Sequence, residues 1–410
     1  LNKGLIFTAL DTGKYKADED EYKKFGQTYV DENVIIDYQK DGTGKPDLNN
    51  PITKEYTIIN AKAIDGEPSN IDTEKNITGT ESLKLENGTL SYNDSRNNHK
   101  EENISSGKGY ILNGITNTLE VSGKNNELDV SVINAYKTAV VFGDTGDKEL
   151  TLSGTIVNGG IDESDPNTKG IAISGSNNGD TLILQSGEIK YKDNNGEENK
   201  KENKDGSEVT QNTVVNGNIN MGAGDDKLIV GSGTVLNGTV AMGAGDDELE
   251  IENGAVINGK LDGGIGTNST LNFNSSTARA LNSDKINIVH SISNFKNMNI
   301  NTNVTLFEKT IEDGEETDLK VTGADEIKIG KNGTLTLRIN SSKMGSGDEA
   351  GKIIGHALYE NTGVISSADG GKLLLALNGA GNENIISFGS TTLGDGLVPE
   401  KGTLDTTSAL

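Results

Sequence analysis

Thr213 to Leu228 reads TVVNGNINMGAGDDKL, Thr234 to Leu249 reads TVLNGTVAMGAGDDEL, and Ala255 to Thr270 reads AVINGKLDGGIGTNST. The Asn-Gly pairs begin at Asn216, Asn237 and Asn258, a step of 21 residues. Gly222, Gly243 and Gly264 keep that step, as do Gly224, Gly245 and Gly266. A fixed period in this range marks repeats that stack, each unable to bury its apolar face alone.

Within a repeat the apolar residues come in short bursts: Val214-Val215, Ile219 and Leu228-Ile229-Val230, then Val235-Leu236, Val240, Leu249 and Ile251. Bursts of β-branched and aliphatic residues separated by Gly, Asn and Asp read as short strands joined by tight turns. No repeat holds a run long enough for a helix of about ten residues. The pattern predicts an all-β parallel β-helix with coils of about 21 residues and polar loop insertions. It lines up Val214, Val235 and Val256 as an aliphatic ladder inside the coil. Stacked Asn216, Asn237 and Asn258 are expected to pass amide hydrogen bonds from coil to coil. SGTIVNG (Ser153 to Gly159) matches SGTVLNG (Ser232 to Gly238), and NGTL (Asn87 to Leu90), SGEI (Ser186 to Ile189) and NGTLTL (Asn332 to Leu337) are looser copies.

Composition suits a thin, laddered core. The 410 residues include 53 Gly and 5 Pro, 32% are hydrophobic, 4% are aromatic, and Trp is absent. A compact globule of this length usually carries more apolar mass. With no Cys, a disulfide framework and thiolate metal sites are excluded. A net charge of −25 disfavours nucleic acid and anionic membranes, and favours divalent cations or basic partners. No stretch approaches the roughly 18 apolar residues of a membrane span; the longest aliphatic run, Leu373 to Leu377, is far shorter.

Residues 1–55 differ in pattern from the rest of the chain and are expected to form an N-terminal cap or irregular first coils. Tyr29-Val30 and Val34 to Ile36 read as strands, Asp18 to Lys24 as a charged turn or short helix, and Asp41 to Asn50 as a loop. Residues 56–342 read as the β-helix proper. Core strands are expected at Leu83–Leu85, Tyr110–Leu112, Leu119–Val121, Leu128–Val130, Ala139–Phe142, Leu150–Leu152, Ile171–Ile173 and Leu182–Leu184. Polar insertions fall at 92–108, 162–169 and 192–211, where loops leave the stack and commonly carry binding. Residues 343–410 are expected to continue the solenoid. A start at Leu1 without a leader-like segment reads as a mature or excised piece of a longer protein.

The GAGDD turns at Gly222–Asp226 and Gly243–Asp247 raise a question of metal. Stacking sets Asp225 near Asp246 and Asp226 near Asp247, and carboxylates about 5 Å apart repel. Calcium would relieve that repulsion, which makes these four residues candidate calcium ligands. The alternative is that one Asp of each pair accepts backbone N–H groups of its own turn while the other faces solvent. The turn resembles the calcium-binding nonapeptide of RTX proteins, but Met221 and Met242 stand at its first glycine. One copy occurs per coil, where RTX copies run in tandem. GDTGD at Gly143 to Asp147 and the Gly179-Asp180 turn are weaker copies.

Nothing else in the sequence favours catalysis. His99, His290 and His356 are scattered, no nucleophile elbow occurs, and Arg96, Arg279 and Arg338 lack an evident carboxylate pair. The expectation is therefore a non-enzymatic protein. A calcium-stabilised RTX-like toxin or surface-layer segment stands second, and a polysaccharide-active β-helix enzyme third.

The SGTIVNG and SGTVLNG turns, the NGNINMGAGDDKL-type coil and the 21-residue step together resemble passenger domains of Gram-negative type V autotransporters, of the large adhesin type. The resemblance covers about residues 56–340. It implies a right-handed parallel β-helix, monomeric, secreted through the parent protein's outer-membrane barrel and displayed at the cell surface. It implies adhesion to a protein or glycan receptor on host cells or other bacteria. The charge and hydropathy noted above add the expectation of no nucleic-acid partner and no membrane insertion by this segment, and no cofactor is expected apart from the calcium considered above.

Overall fold

Gly243 shows why this chain needs its glycines. Its φ is +102°, and a Cβ there would run into the carbonyl oxygen of Gly222, one repeat earlier. Gly264 (φ +72°) meets Gly243 in the same way. Turns of successive coils are thus in backbone contact, and they pair: Ala223 bridges Ala244 in parallel. The computed structural model describes residues 29–40, 46–60, 83–93, 99–104, 109–114, 117–161, 170–192, 198–200, 209–276, 285–306, 321–340, 364–368, 370–378 and 392–393. Among these every regular element is a β-strand.

The chain divides into two units, residues 1–219 and 220–410. Each is a parallel β-helix in which a coil contributes one strand to each of three sheets. In the second unit the first sheet runs Thr234–Asn237, Val256–Ile257, Lys285–Ile288, Asn303–Leu306, Thr334–Asn340 and Lys372–Asn378. The second sheet stacks Val240–Ala241, Leu261–Asp262, Ile292–Ser293 and Val321–Thr322. The third stacks Lys227–Val230, Glu248–Glu252, Thr270–Asn274, Asn297–Ile300, Glu326–Ile329, Val364–Ser367 and Thr392–Leu393. Like meets like along each sheet: Leu228, Leu249, Leu271, Met298, Ile327 and Ile365 form one buried column in unbroken register.

The first unit is built on the same plan. Its third sheet stacks Asn126–Asp129, Glu149–Ser153 and Thr181–Gln185. Leu119, Val140 and Ile173 form a buried column in the second sheet, and Leu112, Ile133, Val157 and Val215 one in the first.

Alternation within each short strand decides what faces the core. Here one expectation is overturned. Val235 and Val256 do pair in register, but they point outward, and Val256 is 46% exposed. Val214, paired with Ile156, is likewise only half-buried. The inward place is taken by the next residue in each strand, Val215 in the first unit and the paired Leu236 and Ile257 in the second, at 0–2% exposure. With a side-chain period of two, an assignment displaced by one residue inverts every face. The strand edges near Leu128 also differ: the strand is Asn126–Asp129 and Val130 lies beyond it.

The insertions do more than decorate the first unit. Tyr29–Lys40 runs antiparallel to Pro46–Asn60, so residues 46–50 belong to a strand and not to the expected loop. The end of that second strand, Tyr56–Asn60, starts the parallel stack by pairing with Gly109–Asn113. The 92–108 insertion includes a hairpin, Thr89–Asn93 against His99–Asn103, that extends the second sheet from Leu83–Glu86. The 192–211 insertion is anchored by Gly187-Glu188 pairing with Thr210-Gln211. It holds a second hairpin, Lys190–Lys192 with Glu198–Lys200, which meets the long strand at Lys192 and Thr53. The insertion at 162–169, the charged segment at 18–24 and residues 343–363 lie outside the described residues.

The inverted face gives a direct check. Ile257→Ala should lower unfolding stability by about 2–4 kcal/mol, whereas Val256→Thr should change it by less than about 0.5 kcal/mol. Urea unfolding of the two variants reads the difference; equal costs would put Val256 back in the core.

Candidate functional site

Coils in this fold are fastened by columns of polar side chains, and the candidate site is one such column. Inside the first unit, Ser131, Thr155 and Thr213 are buried at the entry to the first sheet. The hydroxyl of Ser131 accepts the N–H of Tyr110 (3.0 Å), and that of Thr213 accepts the N–H of Thr155 (3.0 Å). Thr155 Oγ1 donates to the carbonyl of Leu128 (2.9 Å). Beside them runs the asparagine ladder: Asn134 donates to Asn113 (2.8 Å), Asn158 to Asn134 (2.8 Å) and Asn216 to Asn158 (2.7 Å). In the second unit Asn258 donates to Asn237 (2.9 Å), as the Asn-Gly spacing predicts.

The outer face of the third sheet carries mixed ladders. Lys227 Nζ donates to Glu248 Oε2 (3.0 Å), Asn272 Nδ2 donates to Glu248 Oε1 (3.0 Å), and Asn299 Nδ2 donates to Asn272 Oδ1 (2.8 Å). Glu250, Asn274 and Asn301 repeat the scheme at 2.7 and 2.9 Å.

The four aspartates lie in the turns between the second and third sheets of the second unit. Stacking does bring Asp225 to Asp246 and Asp226 to Asp247, but the members of each turn behave differently. Asp225 and Asp246 are exposed and cap the backbone of the following coil. Asp225 Oδ1 accepts the N–H of Asp246 (2.9 Å). Asp246 Oδ1 accepts the N–H groups of Thr267 (2.7 Å) and Asn268 (2.8 Å). These bonds, that of Asn268 foremost, hold the Asp246 carboxyl below the ordinary range.

Asp226 and Asp247 are only 2% exposed. Asp247 Oδ1 accepts the N–H of Asp226 from the preceding coil (2.9 Å). Its Oδ2 is buried and finds no hydrogen-bond partner among the described residues. Burial pushes the Asp247 carboxyl up, the Asp226 N–H partly offsets this, and the charges of Asp225 and Asp246 add to the rise. Ser269 takes the equivalent place one coil later; its hydroxyl accepts the Asp247 N–H (3.4 Å) and donates to the Gly245 carbonyl (3.2 Å). Amide capping by carboxylates is thus present, but between coils, not within one turn. The turn amides lie along the stacking axis, so their nearest acceptors belong to the neighbouring coil.

The sequence pattern does not reveal a related pair in the first unit. Lys148 and Asp180 are both fully buried, with Nζ 3.5 Å from Oδ1. Ser176 Oγ accepts from Lys148 Nζ (2.8 Å) and donates to Asp180 Oδ2 (2.8 Å), and the Ser176 N–H donates to the same oxygen (2.9 Å). One signal was present: Lys148 precedes Leu150 by two residues, as Asp226 precedes Leu228. The exposed GDTGD turn points to Asp144 and Asp147 instead.

The remaining candidates do not converge. His290 is half-buried in a turn, His99 opens a hairpin strand, and Arg338 lies within Thr334–Asn340. His356, Arg96 and Arg279 lie outside the described residues. Among the described residues no three His, Cys, Asp or Glu side chains gather where they could hold a metal ion. No described helix is long and apolar enough to cross a membrane.

Comparison with family models, with curated proteins and with solved structures gives no match in any of the three.

The raised Asp247 carboxyl sets a pH dependence. The folded state holds its proton more tightly than the unfolded chain, so this residue stabilises the fold at low pH. Its contribution falls as pH rises from 3.8 through the higher folded value. Asp247→Asn should remove that fall and leave the protein more stable than wild type at pH 7 in the presence of chelator. Thermal unfolding from pH 3 to 8 measures it; a variant less stable at pH 7 would show that the charge itself is favourable there.

Proposed function

We propose that this chain is a displayed, non-enzymatic segment of a cell-surface adhesin, the passenger of an autotransporter exported through an outer-membrane barrel. Its partner is a protein or glycan receptor on host cells or other bacteria. The observation that carries this reading is the antiparallel lobe of the first unit. Two segments far apart in sequence, the Tyr29–Asn60 hairpin and the Lys190–Lys200 hairpin, meet at Thr53 and Lys192 and add strands that the repeat does not require. Insertions in a solenoid need only leave and re-enter the stack. Insertions that pair with one another make a surface of defined shape, which is what recognition uses. The acidic balance favours a partner with a basic face.

The test removes the lobe without disturbing the stack. Excising residues 190–209 keeps the Gly187-Glu188 and Thr210-Gln211 pairing in place. Binding of labelled chain to cultured host cells and to bacterial surfaces should fall at least about tenfold, with the far-UV spectrum and melting temperature unchanged. Undiminished binding would clear this lobe of a role in recognition.

A further inference from the structure

We infer that the turn column of the second unit binds a hard divalent cation of the calcium class between Asp226 and Asp247. The argument starts from the first unit, where the equivalent place in consecutive coils holds Lys148 and then Asp180. There the fold buries a positive charge, an ammonium 3.5 Å from the following coil's carboxylate. The second unit buries a carboxylate in both of the corresponding places, Asp226 and Asp247, each 2% exposed. The first unit thus places a lysine and then an aspartate in this column, where the second places two aspartates.

The Asp247 carboxylate carries the second observation. Oδ1 is used by the Asp226 amide, while Oδ2 is buried and without a hydrogen-bond partner among the described residues. A buried carboxylate oxygen left bare is costly, and proteins resolve it with a proton, a donor or a metal. Adjoining turns carry further oxygens: the buried Asp226 carboxylate of the coil before, and the Ser269 hydroxyl of the coil after, which bonds the Asp247 N–H and the Gly245 carbonyl. Two carboxylates with a hydroxyl and carbonyls as the available ligands select a doubly charged hard ion, and such oxygen ligands suit calcium, which accepts more of them and in looser geometry than magnesium. Asp225 and Asp246 are not part of the site, because they are exposed and hold no buried oxygen without a hydrogen-bond partner.

The experiment uses the full chain stripped with chelator, titrated with calcium chloride at pH 7 by calorimetry and followed by thermal unfolding. Wild type should show saturable binding and a rise in melting temperature of about 3–5 °C at saturating calcium. Asp226→Lys recreates the Lys148–Asp180 order; it should lose calcium binding and melt above wild type in chelator. Asp247→Asn should also lose binding, which keeps the test valid should the lysine variant fail to fold. Asp225→Asn should bind calcium as wild type does. Absence of heat and of any thermal response in wild type at millimolar calcium would overturn the site. So would calcium binding that survives Asp247→Asn or is abolished by Asp225→Asn. A calcium-insensitive wild type that gains stability only on acidification would assign the bare oxygen to a proton instead.

Discussion

Hydrogen bonding along the stacking direction, with no slip between coils, is the constraint on which this fold rests. Strands of only two to five residues have little hold on register by themselves, as with Val240-Ala241 against Leu261-Asp262. Each needs its neighbours above and below to satisfy its amides and carbonyls. Register is enforced by columns that tolerate no shift: Ser131 to Thr213 inside the first unit, Asn113 to Asn216 beside them, and Lys227 to Asn299 on the outer face of the second. The aliphatic columns would accept a slip with modest loss, since Leu on Ile packs nearly as well as Leu on Leu. The polar columns would not, because each displaced amide leaves a donor and an acceptor unmet. Apolar burial supplies the driving force, and the polar ladders choose the alignment.

The same logic makes charge in the columns consequential. Two carboxylates one strand spacing apart, about 5 Å, repel by about 3 kcal/mol at an effective dielectric near 20. Solvent screens Asp225 and Asp246, and the amides they cap stabilise them further. Asp226 and Asp247 are buried away from that solvent. The Lys148–Asp180 pair shows that the fold accepts buried charge when it comes with its opposite, in keeping with the high cost of leaving one member alone.

Much of the architecture is readable from the repeat. The 21-residue step gives the stack, the Asn-Gly turns give the ladder, and the division of each coil into three strands comes from the three apolar bursts. The inverted face at Val214, Val235 and Val256 shows where reading stops. Both residues of a Val-Val, Val-Leu or Val-Ile doublet are apolar, so alternation offers no contrast to decide which points inward. The third-sheet strand Glu248–Glu252 is unambiguous by comparison, since Leu249 and Ile251 alternate with glutamates. At the candidate site the sequence placed the right aspartates near one another. It could not separate the two of a Gly-Asp-Asp turn, because their opposite burial depends on where the chain enters the third sheet. Lys148 is not legible in the sequence, because a lysine beside a Gly-Asp turn ordinarily marks solvent. The pairing of the two long hairpins is beyond any local pattern, since it joins segments more than 100 residues apart.

The asparagine columns share one direction. Asn134, Asn158, Asn216, Asn258, Asn299 and Asn301 each hand a side-chain N–H to the coil before, and Asn134 and Asn158 also accept one from the coil after. A coil therefore shows its successor the same half-bond that its predecessor shows to it. Whole coils are interchangeable parts: duplicating or losing one leaves both junctions chemically matched, at a change in height of about 4.8 Å. A gene built this way can vary its copy number by unequal recombination and still yield a folded product. The Gly-Asp-Asp coil is the exception, since each further copy would bury another negative charge and call for another positive one.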